Sequence, residues 1–298
     1  MRIARLAART ALMASVVGGA VPGRAAEDAL AKAPSRFAVV DGMRVHYKSL
    51  GKGSQALVLV HGWACDLSFW RFQAGPLAAH HRVLLIDLPG HGQSDAPEIA
   101  YTPALSARAV DAMLLDAGVT RAVLVGHSNG APVIRTFARL FPAKTAGLVV
   151  VDGNLRPFWQ ERSQLDAFAG RLRGPKGKEA AAKMIDGMIA ATVPEARDWI
   201  RATMLRTPQQ VMVSSFEETG DPAVWTPDPI PVPLLVVLAK SPFWTEDYRQ
   251  FVRTLSPTVD YQVLERVSHF LMIDDPRRFN RILERFLGKK HLLAPGRP

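Results

Sequence analysis

The chain has 298 residues, 48% hydrophobic and 21% charged, enough for one large domain with its own core. Its formal net charge is +10, yet Lys and Arg are scattered and form no run, which argues against a nucleic-acid-binding surface. The single cysteine, Cys65, excludes an internal disulfide and lies in no thiol-type motif, so a structural role is expected.

The N-terminus, MRIARLAARTALMASVVGGAVPGRAAEDA, starts basic with Arg2, Arg5 and Arg9. A weakly polar run, Ala11 to Val21, and small residues follow. That is the layout of a bacterial secretory signal, expected over residues 1–25 with cleavage after Ala20 or Ala25. The run is too short to span a bilayer, and no later stretch is long and apolar enough to do so. Export to the periplasm or medium is the expectation; a cytoplasmic protein follows if this segment is not a signal.

Strand-type runs then alternate with helix-type segments. Residues 37–40 and 44–47 alternate around the turn Asp41-Gly42 and predict an antiparallel hairpin at a sheet edge. The runs at 56–60, 83–86, 122–125, 147–151 and 234–238 are apolar on both faces, as strands inside a helix-covered parallel sheet are. A last strand is predicted at 261–264 and a C-terminal helix at Arg277 to Leu287. Residues 155–228 break this rhythm with amphipathic stretches such as Glu179 to Thr192 and Pro194 to Leu205. They end in the proline-rich link 226–233. The expected organisation is an α/β core over 36–154 and 229–290, with a helical cap over 155–228 inserted before the last strands.

Chemistry concentrates at the end of the fifth of these strands. There Gly126-His127-Ser128-Asn129-Gly130 separates a buried strand from a helix. A turn this tight needs glycine at 126 and 130, lifts the Ser128 hydroxyl off the sheet edge and sets the Asn129 amide at a helix start. In this strand-turn-helix frame Gly-x-Ser-x-Gly resembles the nucleophile elbow of the α/β-hydrolase superfamily, and the chain is identified as a serine esterase- or lipase-like member with a helical cap. Val58-Leu59-Val60-His61-Gly62-Trp63 is similar to the family's first oxyanion loop, which implies the Trp63 and Asn129 amides as donors to an oxyanion. Ile86-Asp87-Leu88-Pro89-Gly90-His91-Gly92 resembles the loop after the next strand, where Asp87 and His91 are expected to order the chain.

A serine hydroxyl needs a base. His46 lies on an early strand, His80 and His81 precede one, and His291 is in the tail. His127 adjoins the serine but is expected to point to the opposite side of the elbow. His269, in Val267-Ser268-His269-Phe270 between the last strand and the C-terminal helix, stands where the resemblance puts the base. The acid departs from the common pattern: the stretch after 234–238 reads Ala239-Lys240-Ser241-Pro242, without a carboxylate. Asp152, at the end of the preceding core strand, is the first choice, with Asp247 and Glu246 as alternatives.

The resemblance implies hydrolysis of small-to-medium, largely apolar carboxylic esters through an acyl-enzyme on Ser128. Carbon–carbon bond hydrolase, lactonase or thioesterase chemistry, or a slow-turnover ligand-binding member, remain open. A serine at the elbow argues against the carboxylate nucleophile of epoxide hydrolases and dehalogenases. The partner is a small ester or other acyl substrate, with no cofactor and no metal implied; the oligomeric state is not legible. From the cap, Phe158, Trp159, Met184, Met188, Trp199, Met204, Met212, Phe216 and Trp225 are candidates for an apolar acyl pocket, and Pro242-Phe243-Trp244 for its entrance.

Overall fold

A computed structural model describes residues 29–159 and 161–293. The expected signal segment, 1–25, lies outside them. Eight strands form one sheet in the order β1-β2-β4-β3-β5-β6-β7-β8. They span Ser35–Val40, Met43–Leu50, Gln55–Val60, Val83–Ile86, Arg121–His127, Thr145–Val151, Leu234–Ala239 and Asp260–Leu264, numbered β1 to β8. The hairpin β1–β2 is antiparallel and turns through two positive-φ residues, Asp41 (φ 48°) and Gly42 (φ 80°). This matches the right-handed strand twist. The sheet is parallel from β4 onward.

The central strands are apolar on both faces because both are covered. Leu57 and Leu59 of β3 belong to one core; Ala56, Val58 and Val60 of the same strand belong to the other. The first core includes Trp70, Phe270 and Phe279; the second includes the helix Pro103–Asp116 and Phe137. The edge strand β8 is half-exposed, as its mixed sequence DYQVL requires.

Between β6 and β7 the chain leaves the sheet and builds a helical cap. Its helices are Arg162–Arg173, Gly177–Ile189, Pro194–Met204 and Gln209–Glu217. The cap is inserted at the carboxyl edge of the parallel strands, where open α/β sheets bind ligands. The return segment is pinned to the helix that starts at Gly130. Arg135 donates to the Thr226 and Asp228 carbonyls at 2.8 and 2.9 Å, and Arg139 meets the Asp228 carboxylate at 2.7 Å. No helix of the described residues is long and apolar enough to cross a membrane.

Candidate active site

β5 runs straight into the helix Gly130–Leu140, with Ser128 and Asn129 between them. Ser128 has φ 52°, a conformation a non-glycine residue holds only under structural compulsion. The compulsion comes from close packing on both sides. A Cβ added to Gly126 would lie 2.5 Å from the Gly130 carbonyl oxygen, and one on Gly130 would lie 2.8 Å from the Val60 oxygen. The Ser128 amide is held by the Val151 carbonyl at 2.9 Å. What this arrangement leaves free is the serine side chain, which lines a cavity of about 530 Å³ beneath the cap.

His269 reaches the same cavity from the loop between β8 and the short helix Leu271–Asp274. Its Nδ1 lies 2.7 Å from Oδ2 of Asp152, at the end of β6. Asp152 is only 6% exposed and has φ 42°, a second left-handed non-glycine residue at a strand end. Its Oδ1 accepts the Ala239 amide (2.8 Å) and the Trp244 indole N–H (2.9 Å). The carboxylate oxygens therefore have three nitrogen partners: the Ala239 amide, the Trp244 indole and His269 Nδ1. Ser128 Oγ makes no hydrogen bond to a protein group among the described residues.

The two alternative acids are elsewhere. Asp247 and Glu246 open the helix Glu246–Leu255 and face solvent, Asp247 bonded to Arg156 at 2.7 Å and Glu246 beside Arg249 at 3.8 Å. At a helix N-terminus a carboxylate is stabilised where it stands and is not drawn back toward a histidine. Trp63 and Asn129 flank Ser128 on the cavity wall. Gly62 makes this approach possible, since a Cβ there would lie 2.9 Å from Ser128 Cβ.

His127 is a correction. It lines the same cavity as Ser128, its ring 4.6 Å from that of His269, and its Nε2 lies 2.9 Å from the His269 carbonyl oxygen. Strand alternation holds through His127: Val123, Val125 and the His127 ring face the core of Trp70 and Phe270, and that same face leads to His269. Burial holds His127 well below the ordinary histidine range, so it is neutral and donates Nε2–H to that carbonyl. The histidine loop has a further support that no sequence signal marked. Asp274 accepts the Ser268 amide and hydroxyl, both at 2.6 Å, and the Val193 amide of the cap at 3.0 Å.

The loops below the site are ordered by buried polar groups. Asp87 accepts the Leu67 amide (2.7 Å), the Gln93 amide (2.9 Å) and His46 Nδ1 (2.7 Å). Burial opposes its charge, but these bonds outweigh that and hold the carboxyl below its usual range. His61 accepts the Leu88 amide at Nε2 and lies 2.8 Å from the Gly62 oxygen at Nδ1, joining the loops after β3 and β4. His91 points Nδ1 at the Pro89 carbonyl, and burial pushes its pKa down to about 3.

The cavity wall is largely apolar. Phe158, Trp159, Met184, Met188, Met204, Phe216 and Trp225 line it, as do Phe243 and Trp244 from the loop after β7. Trp199, Met212 and Pro242 do not. Trp199 packs on the buried Phe69 and under the Arg71 guanidinium (3.6 Å), while Met212 is buried in the core with its carbonyl taking the Trp63 indole N–H. Cys65 lines the inner wall, 1% exposed, its thiol pushed well up by burial. No group of three His, Cys, Asp or Glu side chains able to hold a metal ion occurs among the described residues.

The sequence profile of the Alpha/beta hydrolase family matches residues 57–282, from β3 into the C-terminal helix Pro276–Lys290. The chain belongs to the alpha/beta hydrolase family. This hydrolase is 28% identical over 277 residues to a 2-hydroxy-6-oxononadienedioate/2-hydroxy-6-oxononatrienedioate hydrolase of Paraburkholderia phymatum, covering 83% of this chain and 92% of that one. It is 37% identical over 121 residues to the dihydrolipoyllysine-residue acetyltransferase component of the acetoin cleaving system of Cupriavidus necator. That match covers 41% of this chain, which spans about a third (32%) of the relative's length. Among solved structures, an esterase of Thermogutta terrifontis superposes with TM-score 0.75 at 23% identity, over 87% of this hydrolase and 100% of that chain, a likeness of fold.

Proposed function

We propose that this hydrolase cleaves small-to-medium, largely apolar carboxylic esters through an acyl-enzyme on Ser128. The observation that carries the reading is the elbow residue. A serine, not a carboxylate, stands at the strained turn facing the cavity, while the nearby buried carboxylate, Asp152, is engaged by His269 Nδ1. With Nδ1–H committed to Asp152, His269 Nε2 takes the Ser128 proton as Oγ attacks the ester carbonyl. The Trp63 and Asn129 amides receive the oxyanion, aided by the N-terminus of the helix Gly130–Leu140. Each such donor is worth about 3 kcal/mol in the transition state. His269 then protonates the leaving alcohol and activates water to release the acid.

The cavity lining supports an uncharged substrate. A dicarboxylate of the kind named for the Paraburkholderia relative needs cations to meet it. Among the described residues Lys240 is the one Lys or Arg on the lining, and it is 69% exposed and bonded to Glu265 at 2.7 Å. The test is hydrolysis of p-nitrophenyl acetate and butyrate by the purified protein, with Ser128→Ala as control. The reading predicts turnover of both, faster for butyrate, and none by the variant. Turnover confined to dicarboxylate substrates would contradict it.

We propose as well that the protein is exported. The basic start and the apolar run 11–21 support this. Sequencing the mature N-terminus from the native host should find a start near residue 21 or 26; a cytoplasmic chain retaining Met1 would contradict it.

A further inference from the structure

The loop that follows β7 carries no carboxylate between Lys240 and Thr245, but it carries a donor. Trp244 Nε1–H donates to Asp152 Oδ1 at 2.9 Å, beside the Ala239 amide at 2.8 Å. Two donors on Oδ1 occupy its lone pairs and leave Oδ2 to His269, 2.7 Å away. A carboxylate pinned in this way cannot rotate without breaking both bonds. The indole is itself held: its ring packs on Tyr248 with centroids 5.0 Å apart. The Tyr248 hydroxyl donates to the Gly153 carbonyl (3.0 Å) and accepts the Leu155 amide (3.1 Å), directly after Asp152. Trp244 also lines the cavity.

We propose that Trp244 is a positioning residue that fixes the rotamer and charge distribution of Asp152, and through it the orientation of His269. The proposal rests on the serine-hydrolase reading above. Trp244 does not touch the reacting atoms. Its N–H draws negative charge toward Oδ1 and so weakens the pull of Oδ2 on the His269 proton. Without it the carboxylate swings more freely and Oδ2 becomes the stronger acceptor. Orientation and imidazolium stabilisation then change together.

The experiment uses the full-length protein in two forms. Trp244→Phe removes the donor and keeps an aromatic ring; β-(3-benzothienyl)alanine at position 244 keeps the bicyclic ring and replaces only N–H by sulfur. In both, kcat for p-nitrophenyl butyrate is expected to fall about tenfold, as loss of a hydrogen bond to a charged group allows. The acid limb of the kcat/KM–pH profile should move to higher pH. The far-downfield proton resonance of the His269 Nδ1–H should shift in the resting protein. Unchanged kcat, acid limb and resonance in the benzothienyl protein, or a change in KM alone, would overturn the proposal and leave Trp244 as cavity wall. If the unaltered protein cleaves no ester, the substrate reading fails on its own, and the resonance, which needs no substrate, still decides whether Trp244 acts on the Asp152–His269 pair.

Discussion

Asp152 shows how much of this site depends on a single backbone conformation. At φ 42° it pays about 1–3 kcal/mol for a left-handed backbone, and the return is a carboxylate directed along the sheet edge at His269. If it orients the imidazole, Asp152→Asn should keep the fold and lower kcat by up to ~10⁴-fold, following the serine-protease precedent for an amide that favours the wrong tautomer. Asp247→Asn should change kcat less than about twofold, since Asp247 is itself exposed and its ion pair lies away from the cavity. Circular dichroism and ester kinetics on the two variants check both statements; full activity in Asp152→Asn contradicts them. Ser128 and His269 were legible because local motifs mark them. The carboxylate that meets His269 was not, because three carboxylates satisfied the chain order Ser, acid, His, and the sequence does not say which loop bends back. His127 was misread because the face that strand alternation gives it is the one that leads to His269, and Trp244 was passed over because an indole donor has no sequence signature.

At the scale of elements, the loop after β4 is a polar structure in an apolar setting. The His91 side chain has one hydrogen-bond partner among the described residues, the Pro89 carbonyl at Nδ1, and its buried Nε2 has none there. Its folded pKa, about 3, lies below the ordinary value of 6.5, so the unfolded chain binds the proton first. Stability from this residue is therefore complete above about pH 6.5 and is lost as pH falls from there toward 3. Urea unfolding at pH 7.5 and pH 5 should show a smaller pH-dependent loss in His91→Asn than in the unaltered protein. Some loss should remain, because burial also depresses His61 and His127. Equal losses in both proteins would contradict the assignment. The cap helices differ in legibility for a simple reason. Arg162–Arg173 buries Leu165, Phe168, Ala169 and Leu172, a helical stripe. Gln209–Glu217 buries the consecutive Val211, Met212 and Val213, a pattern with no period to read. Its neighbours on the cap and the sheet, and not its own amphipathicity, make it a helix.

The whole molecule is a sheet with two cores and a cap tied back to the elbow helix. Arg135 is buried, and Asp228 is its only ionic partner among the described residues. Asp228→Ala should cost about 1–3 kcal/mol of unfolding free energy, the scale of charge-assisted bonds, and should raise protease sensitivity within 155–228 before the core is cut. A variant with unchanged stability and cleavage pattern would show that the return segment does not depend on this tie. Most of the sheet could be read in advance because buried parallel strands are continuous apolar runs, whereas the cavity could not, since it depends on which cap side chains turn inward. Trp199 and Met212 share the composition of a pocket lining yet pack elsewhere. The central claim, covalent chemistry at Ser128, is tested most directly by mass spectrometry after reaction with a fluorophosphonate ester probe. The account predicts one label, on the peptide carrying Ser128, lost in Ser128→Ala together with ester hydrolysis. A label on another residue, or an active protein that takes none, would contradict it.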